Sequence, residues 1–247
     1  MALNHPPPDT RIKSAPLHRG RVVKSVLMQT SDETRYAKML DVTSANTKVF
    51  CNRHGLEHRI FRGLKRGRWN WHSTFNRLYM FEELITEGHD GWAIHLDADA
   101  FIVDLDFPIK EYLESKDTSA GIVIHSGATP AYWDINSGVI FLNLRNPIAR
   151  AIVKDWIRRH EEIVEETQYI SPQRPPYFGD QRLIQHALRD NQAWFDALHV
   201  ESQDLMNSMH ASFIRHHIRA ITPDFDRRLA ALQLEVNEVM KRFRCDP

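Results

Sequence analysis

Trp92-Ala93-Ile94-His95-Leu96-Asp97-Ala98-Asp99-Ala100-Phe101-Ile102-Val103 is the stretch that decides the fold. An apolar run broken only by His95 stops on two carboxylates separated by one small residue, and apolar chain then resumes. A run of this kind suits a strand buried on both faces of a parallel sheet. If the backbone stays extended through the acids, the side chains of Asp97 and Asp99 project the same way. Two anions side by side at a strand end repel each other and lose hydration, so they need a cation. A hard dication such as Mn2+ or Mg2+ accepts oxygen ligands of this type and keeps positions open for phosphate oxygens. Aspartates also end strands and cap turns with no further purpose. Here apolar chain encloses the pair on both sides, which favours the metal reading. His95 reads as buried and hydrogen-bonded.

Outward from this stretch, strands alternate with helices. Upstream, Val22, Val23, Val26, Leu27 and Met28 form a strand ending at Thr30-Ser31-Asp32, followed by a helix over Glu33 to Phe50. Arg53 to Arg68 reads as strand and loop, and its six basic residues against one glutamate read mainly as solvated charge. Trp71, Phe75, Leu78, Phe81 and Ile85 mark one face of a helix that Gly88 ends. Downstream come strands at Gly121–His125 and Gly138–Leu142, then helices over Pro147–Glu166, Asp180–Arg189 and Asp224–Phe243. The last helix either covers the sheet or pairs with a second chain. The pattern predicts an α/β sandwich with a mainly parallel central sheet flanked by helices. Ligands in such sheets sit beyond the carboxyl ends of the strands. Three polar signals fall there: Thr30-Ser31-Asp32, Asp97-Ala98-Asp99 and an Asn136-Ser137-Gly138 turn.

A chain of 247 residues suits one domain, read here as 21–247, behind a flexible Pro-rich arm at 1–20. Lys plus Arg, 32 in number, equal Asp plus Glu, which argues against coating nucleic acid through a global field. Two cysteines, Cys51 and Cys245, form no metal-type cluster and read as reduced thiols. No stretch approaches the ~20 apolar residues of a membrane span, and the first residues lack the apolar core of a secretory signal. The expectation is a soluble, cytoplasmic protein, with room for peripheral membrane contact. Nothing in the sequence specifies an oligomeric state.

The segment His95–Asp104, "HLDADAFIVD", resembles the D-x-D segment of GT-A glycosyltransferases. "INSGVIFLNLRNP" (Ile135–Pro147), running into "ARAIVKDW" (Ala149–Trp156), resembles the stretch that follows it in glycosyltransferase family 34, the galactosyl, mannosyl and xylosyl transferases. "GDQRLIQHAL" (Gly179–Leu188) is similar to that group's acidic-Gln helix start, and "NTKVFCNRHGL" (Asn46–Leu56) to its early Asn…His-Gly segment, with Phe50-Cys51 in place of Tyr-Ala. The matches are collinear over roughly residues 21 to 220.

The resemblance implies a Rossmann-like GT-A domain. It implies metal-dependent transfer of a hexose or pentose from a UDP- or GDP-sugar to a glycan, glycolipid or other hydroxyl acceptor, with retention of anomeric configuration. Carried over, Asp97 and Asp99 bind the cation, Asp97 also facing the ribose or sugar. A third ligand comes from His210, His216 or His217. His216 is favoured because Phe213-Ile214 would deliver it to the site. Arg219 stands where the family has glycine in its H-x-x-G. Asn136, Ser137 and Gly138 would contact the donor sugar, and Asp180 and Gln181 would lie beneath the anomeric carbon, although helix capping alone explains an acid there. Thr30, Ser31 and Tyr36 are candidates for the nucleotide base, with capping and packing as the plainer explanation. Tyr132-Trp133 is either a sugar platform or core. Acceptor contacts are expected on Ser126–Asp134 and Gln168–Tyr177. The competing functions are a non-catalytic sugar-nucleotide or carbohydrate-binding protein and a D-x-D phosphohydrolase. The latter fits poorly, since Phe101 stands where Thr or Val belongs.

Overall fold

The structure, a computed structural model, describes residues 24–167 and 179–244. The expected arm at 1–20, Cys245 and the Gln168–Tyr177 loop lie outside the described residues. In chain order the first half holds β1 (Ser25–Ser31), α1 (Ala37–His54), β2 (Glu57–Arg62), a 3-10 helix (Asn70–Phe75), α2 (Asn76–Thr86), β3 (Trp92–Leu96), β4 (Ala100–Ile102) and α3 (Ile109–Ser115). The second half holds β5 (Gly121–His125), β6 (Ile135–Asn143), α4 (Pro147–Thr167), α5 (Asp180–Asp190), α6 (Gln192–Asp196), β7 (Leu198–Glu201), β8 (Met206–Ser208), β9 (Ile214–His216) and α7 (Phe225–Arg242).

Six strands make the central sheet in the order β2-β1-β3-β6-β5-β7. β1 runs parallel to β2 and β3, and β5 parallel to β7, while β6 is antiparallel to both its neighbours. This is the expected mainly parallel α/β sandwich. Alternation along the strands divides the core between its two faces. Leu27, Trp92, Ile94 and Leu96 pack on one side with Met39, Leu40 and Phe50 of α1 and Leu232, Val236 and Met240 of α7. Val26, Met28, Ala93 and Ile140 pack on the other with Leu78 and Phe81 of α2 and Ile152 and Trp156 of α4. Each such side chain contributes about 1.5–3 kcal/mol when fully buried. α7 packs along α1 within the core on this face of the sheet. Among the described residues no helix is long and apolar enough to cross a membrane.

A second sheet, β4-β9-β8, stands beside the first. β4 pairs antiparallel with β9, and Ala100 lies opposite His216.

Four local expectations need correction. The first helix starts at Ala37, later than Glu33, because the Asp32 carboxylate accepts the backbone N–H of Thr34 at 2.8 Å and of Tyr36 at 3.2 Å and holds those residues in a turn. The Trp71–Ile85 helix is split at Phe75 into a 3-10 turn and α2. Asn136-Ser137-Gly138 is no turn: it lies inside β6, whose polar first residues hid the start of the strand. His95 is fully buried as expected, yet neither ring nitrogen has a hydrogen-bond partner among the described residues.

Candidate functional site

Register brings the polar signals to one sheet edge. Gln29 lies opposite Leu96, and Leu96 opposite Val139, so β1, β3 and β6 present Thr30, Asp97 and Gly138 side by side. The Asp97 N–H donates to the Gly138 carbonyl at 2.8 Å. Beyond β3 the backbone does not stay extended. Ala100 N–H donates to the Asp97 carbonyl at 3.0 Å, closing a turn that sends the chain into β4. The two acids therefore converge through a tight turn and not through the pleat. Pairing of β4 with β9, extended by a bond from His217 N–H to the Asp99 carbonyl at 3.0 Å, delivers His216 to them.

His216 Nε2 lies 3.2 Å from Asp99 Oδ1 and 3.8 Å from Asp97 Oδ2. One donor atom from each of the three residues falls within 4.8 Å of the others. Nδ1 donates to Asn207 Oδ1 at 2.8 Å, which leaves the Nε2 lone pair facing the carboxylates. Such an arrangement is repulsive unless a proton or a cation lies between the groups. Two carboxylate oxygens and one imidazole nitrogen could hold a divalent metal ion. Desolvation pushes Asp97 up to about 6, although its side chain keeps 28% of its surface exposed and Arg77 and His216 oppose the shift. Burial also opposes ionisation of Asp99, but His216 and Arg228 outweigh it and hold Asp99 below the usual carboxylate range. Burial disfavours charge on His216, yet Asp99 and Asp97 raise its affinity for a proton.

Of the three candidate histidines only His216 reaches this point. His210 is exposed, and the His217 Nε2 lies 3.2 Å from Glu235 Oε1. Gly138 permits the approach, since a Cβ there would meet His216 Cε1 at 2.3 Å.

Asp180, in the first turn of α5, lies alongside. Its carboxylate accepts from Thr74 Oγ1 and, at 3.1 Å, from Ser137 Oγ, and Trp156 Nε1 donates to its carbonyl at 2.8 Å. Gln181 Oε1 accepts the Ser137 N–H at 3.2 Å, and Asn136 Oδ1 the Gly138 N–H at 2.8 Å. Between the acids stands Arg77 of α2, with Nη2 2.5 Å from Asp97 Oδ1, Nε 3.1 Å from Asp180 Oδ2 and Nη1 donating to the Ser137 carbonyl. A second arginine, Arg228 of α7, sits with Nε 3.5 Å from Asp99 Oδ2. Thus one oxygen of each D-x-D acid faces a guanidinium and the other faces His216.

Sequence reasoning missed Arg77, Thr74, Asn207 and Arg228. Only Arg77 had a readable signal, as part of the polar Asn76-Arg77 pair inside the apolar run from Phe75 to Phe81. Thr74 and Arg228 act through contacts more than a hundred residues away, and Asn207 through its bond to His216 on the following strand. The base candidates face inward: Thr30 Oγ1 accepts from Asn76 Nδ2 at 2.9 Å, and Ser31 Oγ donates to the Asp32 carbonyl at 2.8 Å. Tyr36 sets its ring edge-on to Phe225 and takes a hydrogen bond from Arg228 Nη2 at 2.9 Å. Trp133 packs on the core, and Tyr132 donates its hydroxyl to the Arg189 carbonyl at 3.0 Å. In the basic stretch Arg53, Arg59, Arg62 and Lys65 each pair with a carboxylate.

Among solved structures, the chain is similar to a glycosyltransferase involved in the glycosylation of the major capsid of PBCV-1, with a TM-score of 0.61 and 14% identity over 85% of this chain and 99% of that one. It is also similar to the apo form of the glycosyltransferase GlyE of Streptococcus pneumoniae TIGR4, with a TM-score of 0.50 and 13% identity over 91% of this chain and 65% of that one. The fold is therefore that of the GT-A glycosyltransferases. No protein-family model and no curated protein matches the chain.

Proposed function

We propose that this chain is a metal-dependent glycosyltransferase that takes a sugar from a nucleoside-diphosphate donor, UDP- or GDP-linked, to a hydroxyl acceptor. The observation that carries the reading is the meeting of Asp97, Asp99 and His216 at the carboxyl edge of a GT-A sheet, where ligands of such sheets bind. These three residues would hold a Mn2+ or Mg2+ ion. The ion's chemistry is to stabilise the negative charge that develops on a departing diphosphate.

The protein's own groups supply the rest. The hydroxyls of Thr74 and Ser137 donate to the Asp180 carboxylate and the Arg77 guanidinium lies beside it, which fixes its orientation. A carboxylate held this way suits stabilisation of positive charge at an anomeric carbon, in keeping with retention, and Gln181 sits beside it. Asn136 and Gly138 offer polar and backbone groups to sugar hydroxyls at the same edge. A glycan or glycolipid with a free hydroxyl would approach from the Ser126–Asp134 side.

The test is a panel of UDP- and GDP-sugars with Mn2+, read by mass spectrometry for transfer or slow hydrolysis. Turnover of at least one donor, abolished by chelation and by Asp99→Asn, is the expected result. No turnover across the panel, or full turnover by Asp99→Asn, overturns the reading.

A further inference from the structure

The C-terminal helix α7 puts a charge into the site that the D-x-D pattern does not announce. Arg228 is 1% exposed, packed under Tyr36, whose ring its guanidinium covers at 5.6 Å. Nη1 donates to the Thr222 carbonyl at 3.1 Å and Nη2 to the Tyr36 hydroxyl at 2.9 Å. Those two bonds fix the plane of the fork. The third edge, Nε, has no hydrogen-bond partner among the described residues and points toward Asp99 Oδ2 at 3.5 Å. Asp99 thus gains the attraction of a buried cation without surrendering an oxygen to a full hydrogen bond.

The consequence is electrostatic. Three carboxylates, Asp97, Asp99 and Asp180, face two guanidiniums, Arg77 and Arg228, which leaves one unit of negative charge when His216 is neutral. A dication would turn that into one unit of positive charge in a partly buried site, an unfavourable state on its own. A diphosphate arriving with the cation would more than offset it, since that group carries at least two negative charges. We infer that Arg228 is a positioning residue that makes cation binding depend on the diphosphate: it keeps the site weak for metal alone and strong for metal and nucleotide together. This rests on the reading of Asp97, Asp99 and His216 as ligands. It differs from a merely structural role in the signs it requires. Neutralising Arg228 must tighten the binding of metal alone and shrink the gain that nucleotide brings.

The experiment is a Mn2+ titration of the full chain, read by the EPR signal of free Mn2+, with and without UDP. Wild type should bind Mn2+ at least about tenfold more tightly with UDP present, a floor well below the roughly thousandfold of a full charge-charge interaction at about 4 Å and effective dielectric near 20. Arg228→Gln should bind Mn2+ alone about tenfold more tightly than wild type and lose most of the UDP effect, whereas Arg228→Lys, which keeps the charge, should retain it. Unchanged or weaker binding of Mn2+ alone by Arg228→Gln overturns the inference. If Arg228→Gln does not fold by circular dichroism, the wild type and Arg228→Lys decide: UDP coupling preserved in both supports it, and coupling absent from wild type or lost in Arg228→Lys overturns it. Failure of the underlying metal reading is separate, since wild type would then bind no Mn2+ under either condition.

Discussion

A methyl group on Gly138 would sit 2.3 Å from His216 Cε1, 2.7 Å from its Nδ1 and 3.0 Å from Asp97 Oδ2. His216 cannot yield without leaving Asn207, so Gly138→Ala should lower Mn2+ affinity at least tenfold while the fold survives at a cost of about 1–3 kcal/mol, the range for overpacking. A Mn2+ titration with a denaturation curve on the same sample checks both; unchanged affinity would mean the ring is not held against the strand. Arg77 carries the opposite balance. Its removal strands two carboxylates, one of them buried, so Arg77→Met should destabilise by about 3–5 kcal/mol in urea unfolding. A loss below 1 kcal/mol would show that Asp97 and Asp180 manage without it. Asp97 and Asp99 stood out in the sequence because they interrupt an apolar run that a strand must bury, whereas His216 was one of three candidates that the family resemblance brought forward. Asn207 gave no such notice. It adopts a left-handed backbone, φ 68°, and reaches His216 from a strand whose register is broken by a bulge.

Helix α1 and strand β4 are joined by one side chain. The Asn46 amide donates to the Ile102 carbonyl at 3.0 Å and its carbonyl accepts the Ile102 N–H at 2.9 Å, so it imitates a neighbouring strand for a residue that would otherwise be bare. Asn46→Leu leaves two buried backbone groups unpaired and should cost about 2–4 kcal/mol, measurable by urea unfolding. Because β4 leads out of the D-x-D turn, the same variant should weaken Mn2+ binding; full stability would contradict the role. Sequence placed strands well where both faces are apolar, as in β1 and β3. It failed at the start of β6, where Ser137 is polar because its hydroxyl donates to Asp180 and not because the chain turns. The D-x-D turn was misjudged for a related reason, since nothing local shows that Ala100 will pair with His216, more than a hundred residues away.

Across the molecule, acid should loosen the fold before any metal chemistry matters. Burial pushes His58, His72 and His160 down to about 4, so each stays neutral in the folded chain. In the unfolded chain they take protons near the ordinary value of about 6.5. The unfolded state therefore binds more protons between these limits, and stability, complete above about pH 6.5, should fall steadily toward pH 4. Urea midpoints at pH 7.5 and pH 5 check this; equal midpoints would refute it. The histidines on the two sheet faces could not be sorted from sequence, because burial depends on which helices cover them. Every level of the account meets at one bond, from the imidazole of His216 to a dication shared with Asp97 and Asp99. Pulsed EPR of the Mn2+-loaded protein tests it most directly: the account predicts a histidine-nitrogen coupling that vanishes in His216→Gln and persists in His210→Gln and His217→Gln, and a coupling that survives His216→Gln would contradict it.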